Sequence, residues 1–295
     1  MAATEEVGAG GGSSPRVSVV IPTLDASRSL SVQKLRDALT RQTFQDFELI
    51  LVEGVKPQGR AINTGVARSR GGIILIMDDD SALSNDRTVE LLVSALESDA
   101  TIGMAGAAEV IGPSDNRFQR MAARQFPRRH VEPPSEIVDS DYAQHPCCAL
   151  PRDVFLGIGG EREDIVRGLD PWLRQAIRDA GYRVVLVPGA TVHHPMPPSL
   201  RALCRTFYRN GSGSAFAQRF RPDMIYETSE HMTEFTPKRP FAYRVVRFPL
   251  RLLWALVTLK WLRLIAYTCY GVGYAVRYAK LVLSGEKDAE TAASR

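Results

Sequence analysis

The sequence predicts an α/β fold in which a mostly parallel sheet is flanked by helices. Short apolar, β-branched runs alternate with stretches of helical spacing over the first 112 residues, as in a chain of strands and crossover helices. Three of these runs end in acidic residues, and ligands of open α/β sheets bind beyond the carboxyl ends of the strands. Residues 235–285 contain no acidic residue and many basic ones, which predicts a C-terminal part of different character.

Composition excludes several classes of protein. The chain has 295 residues, 44% of them hydrophobic and 24% charged, which is typical of a globular protein. The net charge of +4 is small, and we expect no nucleic-acid partner. The four cysteines have neither the density of a disulfide scaffold nor the spacing of a zinc site, so we expect reduced packing thiols in a cytosolic setting.

The first half of the chain alternates regularly between the two element types. Apolar runs predict strands, and residues repeating at three and four positions predict helices between them. The strands are expected at 16–25, 47–54, 73–80 and 102–112, and the helices at 29–44, 59–72 and 87–99. The Gly- and Ser-rich residues before position 16 predict a disordered tail.

The third strand ends in three consecutive aspartates, Asp78, Asp79 and Asp80. Like charges at such spacing repel one another, so either solvent or a cation must offset them. Side chains alternate along a strand, which places Asp78 and Asp80 on one side and Asp79 on the other. Asp25 and Glu53 stand at the ends of the first two strands, so we expect the acids to converge on one crevice.

The second half contains one weakly patterned segment and one clear unit. Prolines and arginines interrupt residues 112–146, which predicts a long functional loop with a short helix. A helix follows, with Asp170 as N-cap, Pro171 at its first position and Gly181 closing it. The next strand leads to His193 and His194, of which alternation lets only one face the site, His194 in our interpretation.

The C-terminal part predicts two amphipathic helices with a break between them. Its apolar runs are shorter than the roughly 18–20 residues of a spanning helix. From Lys260 onward one helical face is basic and rich in tyrosine, and the other faces are apolar. This pattern suits a helix that lies in the lipid headgroup region. The alternative is a helix that packs its faces on the protein itself.

Five blocks of the sequence carry a resemblance. "VSVVIPTLD", "FELILVEG", "AINTGVARSRGGIILIMDDDS", "CCALPRDVFLGIGG" and "GLDPWLRQAIRDAGYRVVLVPGATVHHP" occur in this order. Their order and spacing resemble family 2 glycosyltransferases of the GT-A fold over about residues 16–210. The resemblance implies a Rossmann-like sheet and a transfer from a nucleotide-sugar donor. The Q-x-x-R-W motif of processive synthases is missing, which favours the addition of a single sugar.

The resemblance also implies roles for individual residues. A divalent cation, Mn²⁺ or Mg²⁺, would neutralise the diphosphate leaving group, and Asp170 would be the general base of an inverting transfer. The glutamate that precedes this aspartate in the family is replaced by Leu169. The implied metal ligands are Asp78, Asp80 and His194, and the implied donor-binding residues are Thr23, Asp25, Glu53, Asn63, Asp78 and Asp79. The basic residues of the sequence suggest further contacts with phosphate or acceptor, at Arg128, Arg129 and Arg209, together with His193.

These roles divide the chain into functional segments. We expect a nucleotide-sugar-binding half at 16–112, an acceptor-binding half at 113–210, a membrane-associating region at 211–285, and polar tails at 1–15 and 286–295. The basic C-terminal part predicts contact with an anionic membrane surface and a lipid-linked acceptor. The expected location is the cytoplasmic face of the cell membrane, as a peripheral or monotopic protein.

Two other functions are weighed against this one. A sugar nucleotidyltransferase is also an α/β metal enzyme, but "IPTLDAS" lacks the Gly-rich phosphate loop that opens that class. A catalytically inactive nucleotide-binding module of the same fold would explain the loss of the glutamate before Asp170. Retention of Asp78, Asp80 and Asp170 argues against it.

Overall fold

The structure is a computed structural model that describes residues 14–24, 30–235 and 238–284. The described strands are β1 (Val17–Thr23), β2 (Phe47–Glu53), β3 (Ile73–Ile76), β4 (Ala82–Leu83), β5 (Ile102–Val110), β6 (Val138–Asp139), β7 (Cys148–Pro151) and β8 (Arg183–His193). The described helices are α1 (Leu30–Thr40), α2 (Gln58–Arg68), α3 (Thr88–Ser98), α4 (Arg117–Ala123), α5 (Arg152–Gly157), α6 (Leu169–Asp179), α7 (Leu200–Phe220), α8 (Phe241–Val257) and α9 (Trp261–Leu283).

The described strands form one mixed sheet in the order β2-β1-β3-β7-β5-β8-β4, with β6 paired to β8. The strands β1, β2, β3, β5 and β8 run in the same direction, as predicted. Strand β7 lies antiparallel between β3 and β5. It has only four residues, and its place in the sheet depends on partners that are distant in sequence. The sequence-based prediction therefore did not include it in the sheet.

Helices cover both faces of the sheet because successive side chains of each strand point to opposite sides. In β1, Val19 and Ile21 pack in one core cluster with Leu35 of α1 and Leu92 of α3. Val20 packs in the other cluster, with helices α2 and α6. At Gly65 of α2 a Cβ atom would come within 2.4 Å of the Val20 side chain, so the helix lies directly on the strand.

The C-terminal helices attach to the domain through α7. Leu203 of α7 packs with Leu262 and Ala266 of α9, and further along, Gly211 of α7 meets the backbone of Tyr270. Positions that follow each other in α7 thus meet positions that follow each other in α9, so the two helices run parallel. A Cβ atom at Gly211 would lie 1.9 Å from the Tyr270 carbonyl oxygen, which shows that the two backbones are in contact.

Two C-terminal helices with a break are confirmed, with Leu259 between them in the left-handed region at φ 55°. Part of the basic, tyrosine-rich face of α9 packs on the protein itself, as in the alternative given above. Arg263 is buried, donates to Glu230 and reaches the Tyr267 hydroxyl. The protein itself uses much of this face, because its charged and hydroxyl groups find partners there. None of the helices in the described ranges is both long and apolar enough to cross a membrane.

Candidate active site

The carboxyl ends of β1, β2 and β3 meet at one edge of the sheet. Thr23 and Glu53 are direct neighbours in the register of β1 and β2, and the aspartate triplet follows β3 by one residue. The Thr23 hydroxyl donates to Asp79 at 2.7 Å, so these two predicted donor-binding residues are in contact. Asp25, the third predicted acid of this edge, lies outside the described residues.

Asp78 and Asp80 come together just beyond the end of β3, while Asp79 binds Thr23. Together with His194 they form a cluster whose nearest ligand atoms all lie within 4.8 Å of one another. His194 Nε2 is 3.2 Å from Asp80 Oδ1. Two carboxylates and an imidazole in this spacing fit a divalent cation of the Mn²⁺ or Mg²⁺ type. The residues predicted as metal ligands are thus brought together by the fold.

The acid–base properties of this cluster reflect its position in a walled crevice. Burial raises the pKa of Asp78 to about 6. Desolvation also acts on Asp80, but the hydrogen bond and charge of His194 outweigh it and lower the pKa of that carboxyl. Burial and Arg129 disfavour a charged His194, while Asp80 and Glu109 raise its pKa to about 10. A proton therefore occupies this ring near neutral pH, at the place where a cation would bind.

Arginines approach the cluster from the 112–146 segment and from α7. Arg129 contacts the His194 ring and pairs with the buried Glu109 at 2.8 Å. Arg128 is exposed, yet the surrounding protein and Arg129 lower the pKa of its guanidinium. Arg209 of α7 is also exposed. The pKa of Arg167 is lowered, mainly by burial and in addition by the charge of Arg209. The sequence-based prediction did not include Arg167.

Asp170 lies in the first turn of α6, after the left-handed Gly168 at φ 90°. The prediction that Asp170 is the N-cap is therefore wrong: Gly168 holds that position. The carboxylate instead accepts a hydrogen bond from the backbone N–H of His145, with 2.7 Å between His145 N and Asp170 Oδ1. The carbonyl oxygen of His145 accepts a hydrogen bond from Asp78 N at 3.1 Å. One residue thus connects the predicted base to the metal-binding strand end.

His145 and Glu161 are site residues that sequence reasoning missed. The His145 ring lies between two carboxylates, with Nδ1 3.3 Å from Asp170 Oδ1 and Nε2 2.7 Å from Glu161 Oε1. Burial opposes a charged ring, but Asp170 and Glu161 outweigh it and raise the pKa of His145 to about 10. The pairs are 16 and 25 residues apart in sequence, so no local pattern announces them.

Two predicted site residues have other partners. The Asn63 amide accepts from the backbone N–H of Glu161 at 2.8 Å and donates to its carbonyl oxygen and to Glu163. The amide N–H groups of Asn63 thus bind the 158–168 loop, and its contact with the nucleotide sugar stays a prediction. His193 is buried beside Asp115, with 3.0 Å between Nε2 and Oδ1. Its partner differs from those of His194, which lies beside Asp80 and Glu109.

Comparisons with known proteins agree with this fold. Residues 20–157 match the family model "Glycosyl transferase family 2", while no curated protein matches the sequence. The solved mannosyltransferase PcManGT from Pyrobaculum calidifontis, in complex with GDP-Man and Mn²⁺, is 18% identical with a TM-score of 0.52, over 96% of this chain and 79% of that one. S. aureus TarS is 14% identical with a TM-score of 0.46, over 68% of this chain and 39% of that one.

Fold and site together define a glycosyltransferase of the GT-A class. The match to the glycosyl transferase family 2 model covers slightly under half of the chain, from within β1 to the end of α5.

Proposed function

We propose that the protein is a metal-dependent inverting glycosyltransferase that moves one hexosyl unit from a nucleotide sugar to a hydroxyl or phosphate of the acceptor. The observation that supports this most is the link through His145, whose two peptide groups bind Asp170 and Asp78. A base and a metal cluster held by one residue are suited to opposite ends of the same displacement. An inverting transfer needs both, because the acceptor attacks from the side opposite the leaving group.

The residues divide the work by position. Asp78, Asp80 and His194 would hold the cation, which when bound stabilises the negative charge of the departing diphosphate. Thr23, Glu53 and Asp79 lie at the neighbouring strand ends and would contact the nucleoside. Asp170 would take the proton of the acceptor, and its 30% exposed side chain is open to the crevice. The exposed guanidiniums of Arg128 and Arg209 would attract anionic groups.

The proposal of a lipid-linked acceptor is based on the outer surface of α8. Its arginines turn inward: Arg247 donates to Glu227 at 2.7 Å, and Arg244 to Gln218 at 2.7 Å. Its apolar side chains turn outward, with Leu250 58% and Trp254 61% exposed. The remaining members of this apolar face are Val245, Val246, Leu253 and Val257. Full burial of one such aliphatic side chain stabilises by about 1.5–3 kcal/mol. A partner that covered this face would therefore gain several kcal/mol of binding free energy.

A bilayer is the partner that we propose for this face. Patches of this kind mark interaction sites on soluble surfaces, and the charges around this one select among partners. Residues 235–285 carry no acid, and the cations at the helix ends, Lys238 and Lys260, complement anionic lipid. The protein would thus act at the cytoplasmic face of the membrane, as a peripheral or monotopic enzyme with a lipid-linked acceptor.

Nucleotide-dependent thermal stabilisation tests the donor site. PcManGT was solved with GDP-Man and Mn²⁺, so GDP-mannose with Mn²⁺ heads a panel that includes UDP and CDP sugars and Mg²⁺. A ligand that binds the native state raises the melting temperature. We expect a shift that requires metal, disappears in Asp80→Ala and survives in Asp86→Ala, an exposed acid outside the cluster. A shift without metal, or one retained in Asp80→Ala, would contradict the proposed site.

Vesicle flotation tests the membrane face. We expect the full chain to float with phosphatidylcholine vesicles that contain phosphatidylglycerol, and the double variant Leu250→Ser, Trp254→Ser to lose at least tenfold in bound fraction. Leu156→Ser is the matched control, because this leucine is 48% exposed on α5, away from α8. Equal flotation of wild type and double variant would rule out the face. So would a concentration-dependent dimer that the double variant abolishes, since a second copy would then cover α8.

A further inference from the structure

We propose that Glu161 is a positioning residue for glycosyl transfer, which acts through the His145 ring to fix Asp170 with one carboxylate oxygen bound and the other open to the acceptor. The proposal rests on the proposed function, since it assigns Asp170 the role of base. It adds a residue that does not touch donor, cation or acceptor.

The geometry forms a continuous path from Glu161 to Asp170. Glu161 Oε1 lies 2.7 Å from His145 Nε2, and the opposite ring nitrogen, Nδ1, lies 3.3 Å from Asp170 Oδ1. The backbone N–H of His145 donates to the same Oδ1 at 2.7 Å. Both contacts fall on one oxygen, and among the described residues none donates to Asp170 Oδ2. The second oxygen is therefore free to receive a proton.

Glu161 is itself held rigidly. Asn63 of α2 binds both the N–H and the C=O of the Glu161 peptide at 2.8 Å. The preceding Gly160 has a φ of 72°, and a Cβ atom there would lie 2.7 Å from Asn63 Oδ1. The turn therefore needs glycine, both for its left-handed backbone and for the approach of the amide. Glu161 thus presents its carboxylate from a fixed backbone.

Stability alone does not account for a carboxylate at this place. The Glu161 side chain is 0% exposed, its Oε2 has no hydrogen-bond partner, and burial raises its pKa. A buried acid whose oxygen lacks a partner costs free energy, and an apolar residue would avoid that cost. What the Glu161 carboxylate provides, and an apolar residue could not, is a hydrogen-bond acceptor for the His145 ring. Holding a reacting group in its productive orientation lowers the barrier to reaction.

Three variants separate positioning from structure. Glu161→Ala removes the acceptor for the His145 ring, whereas Glu161→Gln keeps an acceptor oxygen of similar reach. Glu163→Ala is the matched control: this exposed neighbour also binds Asn63 and pairs with Arg60, but it does not contact His145. If Glu161→Ala does not fold, Glu161→Asp replaces it, because the shorter acid withdraws from the ring.

The kinetic readout is nucleoside diphosphate release from GDP- and UDP-sugars with Mn²⁺, with water as acceptor. We expect kcat to fall by about 10–100-fold in Glu161→Ala with the donor KM within about twofold. Glu161→Gln should recover most of kcat, and Glu163→Ala should resemble wild type. A kcat within twofold of wild type in Glu161→Ala would overturn the proposal. So would equal losses in kcat and in Mn²⁺-dependent nucleotide binding, which would indicate a collapsed site.

A second readout does not depend on turnover. A ring N–H that is buried and bonded to a carboxylate gives a downfield, slowly exchanging proton resonance in NMR. The diagnostic resonance is that of Nε2–H, which faces Glu161, as distinct from Nδ1–H, which faces Asp170. We expect the Nε2–H resonance in wild type, Glu161→Gln and Glu163→Ala, and its loss in Glu161→Ala and His145→Gln. Its persistence in Glu161→Ala would overturn the proposal. Absence of turnover in wild type with every sugar, while the resonance behaves as expected, would instead refute the proposed function.

Discussion

The crevice beyond β3 and the outer face of α8 differ in where their charged side chains lie. In the crevice, Asp80 keeps 55% of its side chain exposed, and two carboxylates and a histidine converge on one point. On α8 the arginines face the protein and the large apolar residues face outward. The crevice thus gathers carboxylates, and the outer face of α8 gathers apolar area.

This difference teaches that the chain keeps its charged cluster and its exposed apolar area in separate places. Carboxylates repel one another unless a positive group joins them, and apolar area in water is unfavourable in proportion to its size. Both costs are concentrated in small regions, while the two cores that cover the sheet are well packed. Variants at each region should therefore fail in different ways, one in chemistry and the other in stability or attachment.

The largest expected effect is on the chemistry of the crevice. Asp170→Asn keeps the shape of the side chain and its contact with His145, but it cannot accept a proton. We expect turnover to fall by about 10²–10⁴-fold, the usual contribution of a general base, with metal-dependent nucleotide binding unchanged. Asp179→Asn, at the exposed far end of the same helix, is the control. Turnover near wild type in Asp170→Asn would assign the base to another residue.

The next effect is on the stability of the C-terminal helices. Gly211→Ala places a methyl group 1.9 Å from the Tyr270 carbonyl oxygen, so α7 and α9 must separate. We expect the free energy of unfolding to fall by about 1–3 kcal/mol or more, measured by urea denaturation. Gly157→Ala meets nothing within 4 Å and should be neutral or slightly stabilising. A neutral Gly211→Ala would show that the two backbones are not in contact.

A smaller loss is expected where α8 joins the domain. Arg247→Ala removes the partner of Glu227, whose side chain is only 14% exposed, and leaves its carboxylate partly desolvated. We expect about 1–2 kcal/mol of lost stability, seen in the same urea titration. Arg201→Ala on the exposed side of α7 provides the comparison and should change little. Equal effects of the two variants would mean that the inward arginine does not hold α8.

The smallest effect concerns salt and the membrane. Raising NaCl from 0.1 to 1 M shortens the screening length from about 10 to about 3 Å, which weakens attraction between Lys260 and anionic lipid. Apolar insertion is not screened, so flotation on phosphatidylglycerol vesicles should decrease only modestly. Pure phosphatidylcholine vesicles serve as the reference and should show no salt dependence. Complete release at 1 M NaCl would mean that charge, not the apolar face, holds the protein.

The sequence predicted those features that depend on neighbours along the chain. Asp78, Asp80 and His194 come together because each lies at the end of a predicted strand, and the ends of these strands lie at one edge of the sheet. Gly181 closes α6 as expected, with φ 90°. The break between α8 and α9 was also visible as an interruption of the helical pattern.

Features that depend on distant contacts escaped prediction. His145 precedes β7, and it reaches Asp170 only because β7 inserts antiparallel beside β3. Glu161 reaches His145 only because Asn63 holds its loop. The periodicity of α9 identified two different faces, but it could not tell that Arg263 would find Glu230 and turn inward. An amphipathic pattern shows that a helix has two different faces, but it does not show what each face contacts.

The position of His145 has a consequence for how this protein can evolve. Its N–H donates to Asp170 and its carbonyl oxygen accepts from the N–H of Asp78, so neither aspartate can shift without moving the other. Substitutions near Asp78 and near Asp170 should therefore be strongly epistatic: a change that is tolerated on one side alters which changes are tolerated on the other. New donors or acceptors would arise through paired mutations more readily than through independent single ones.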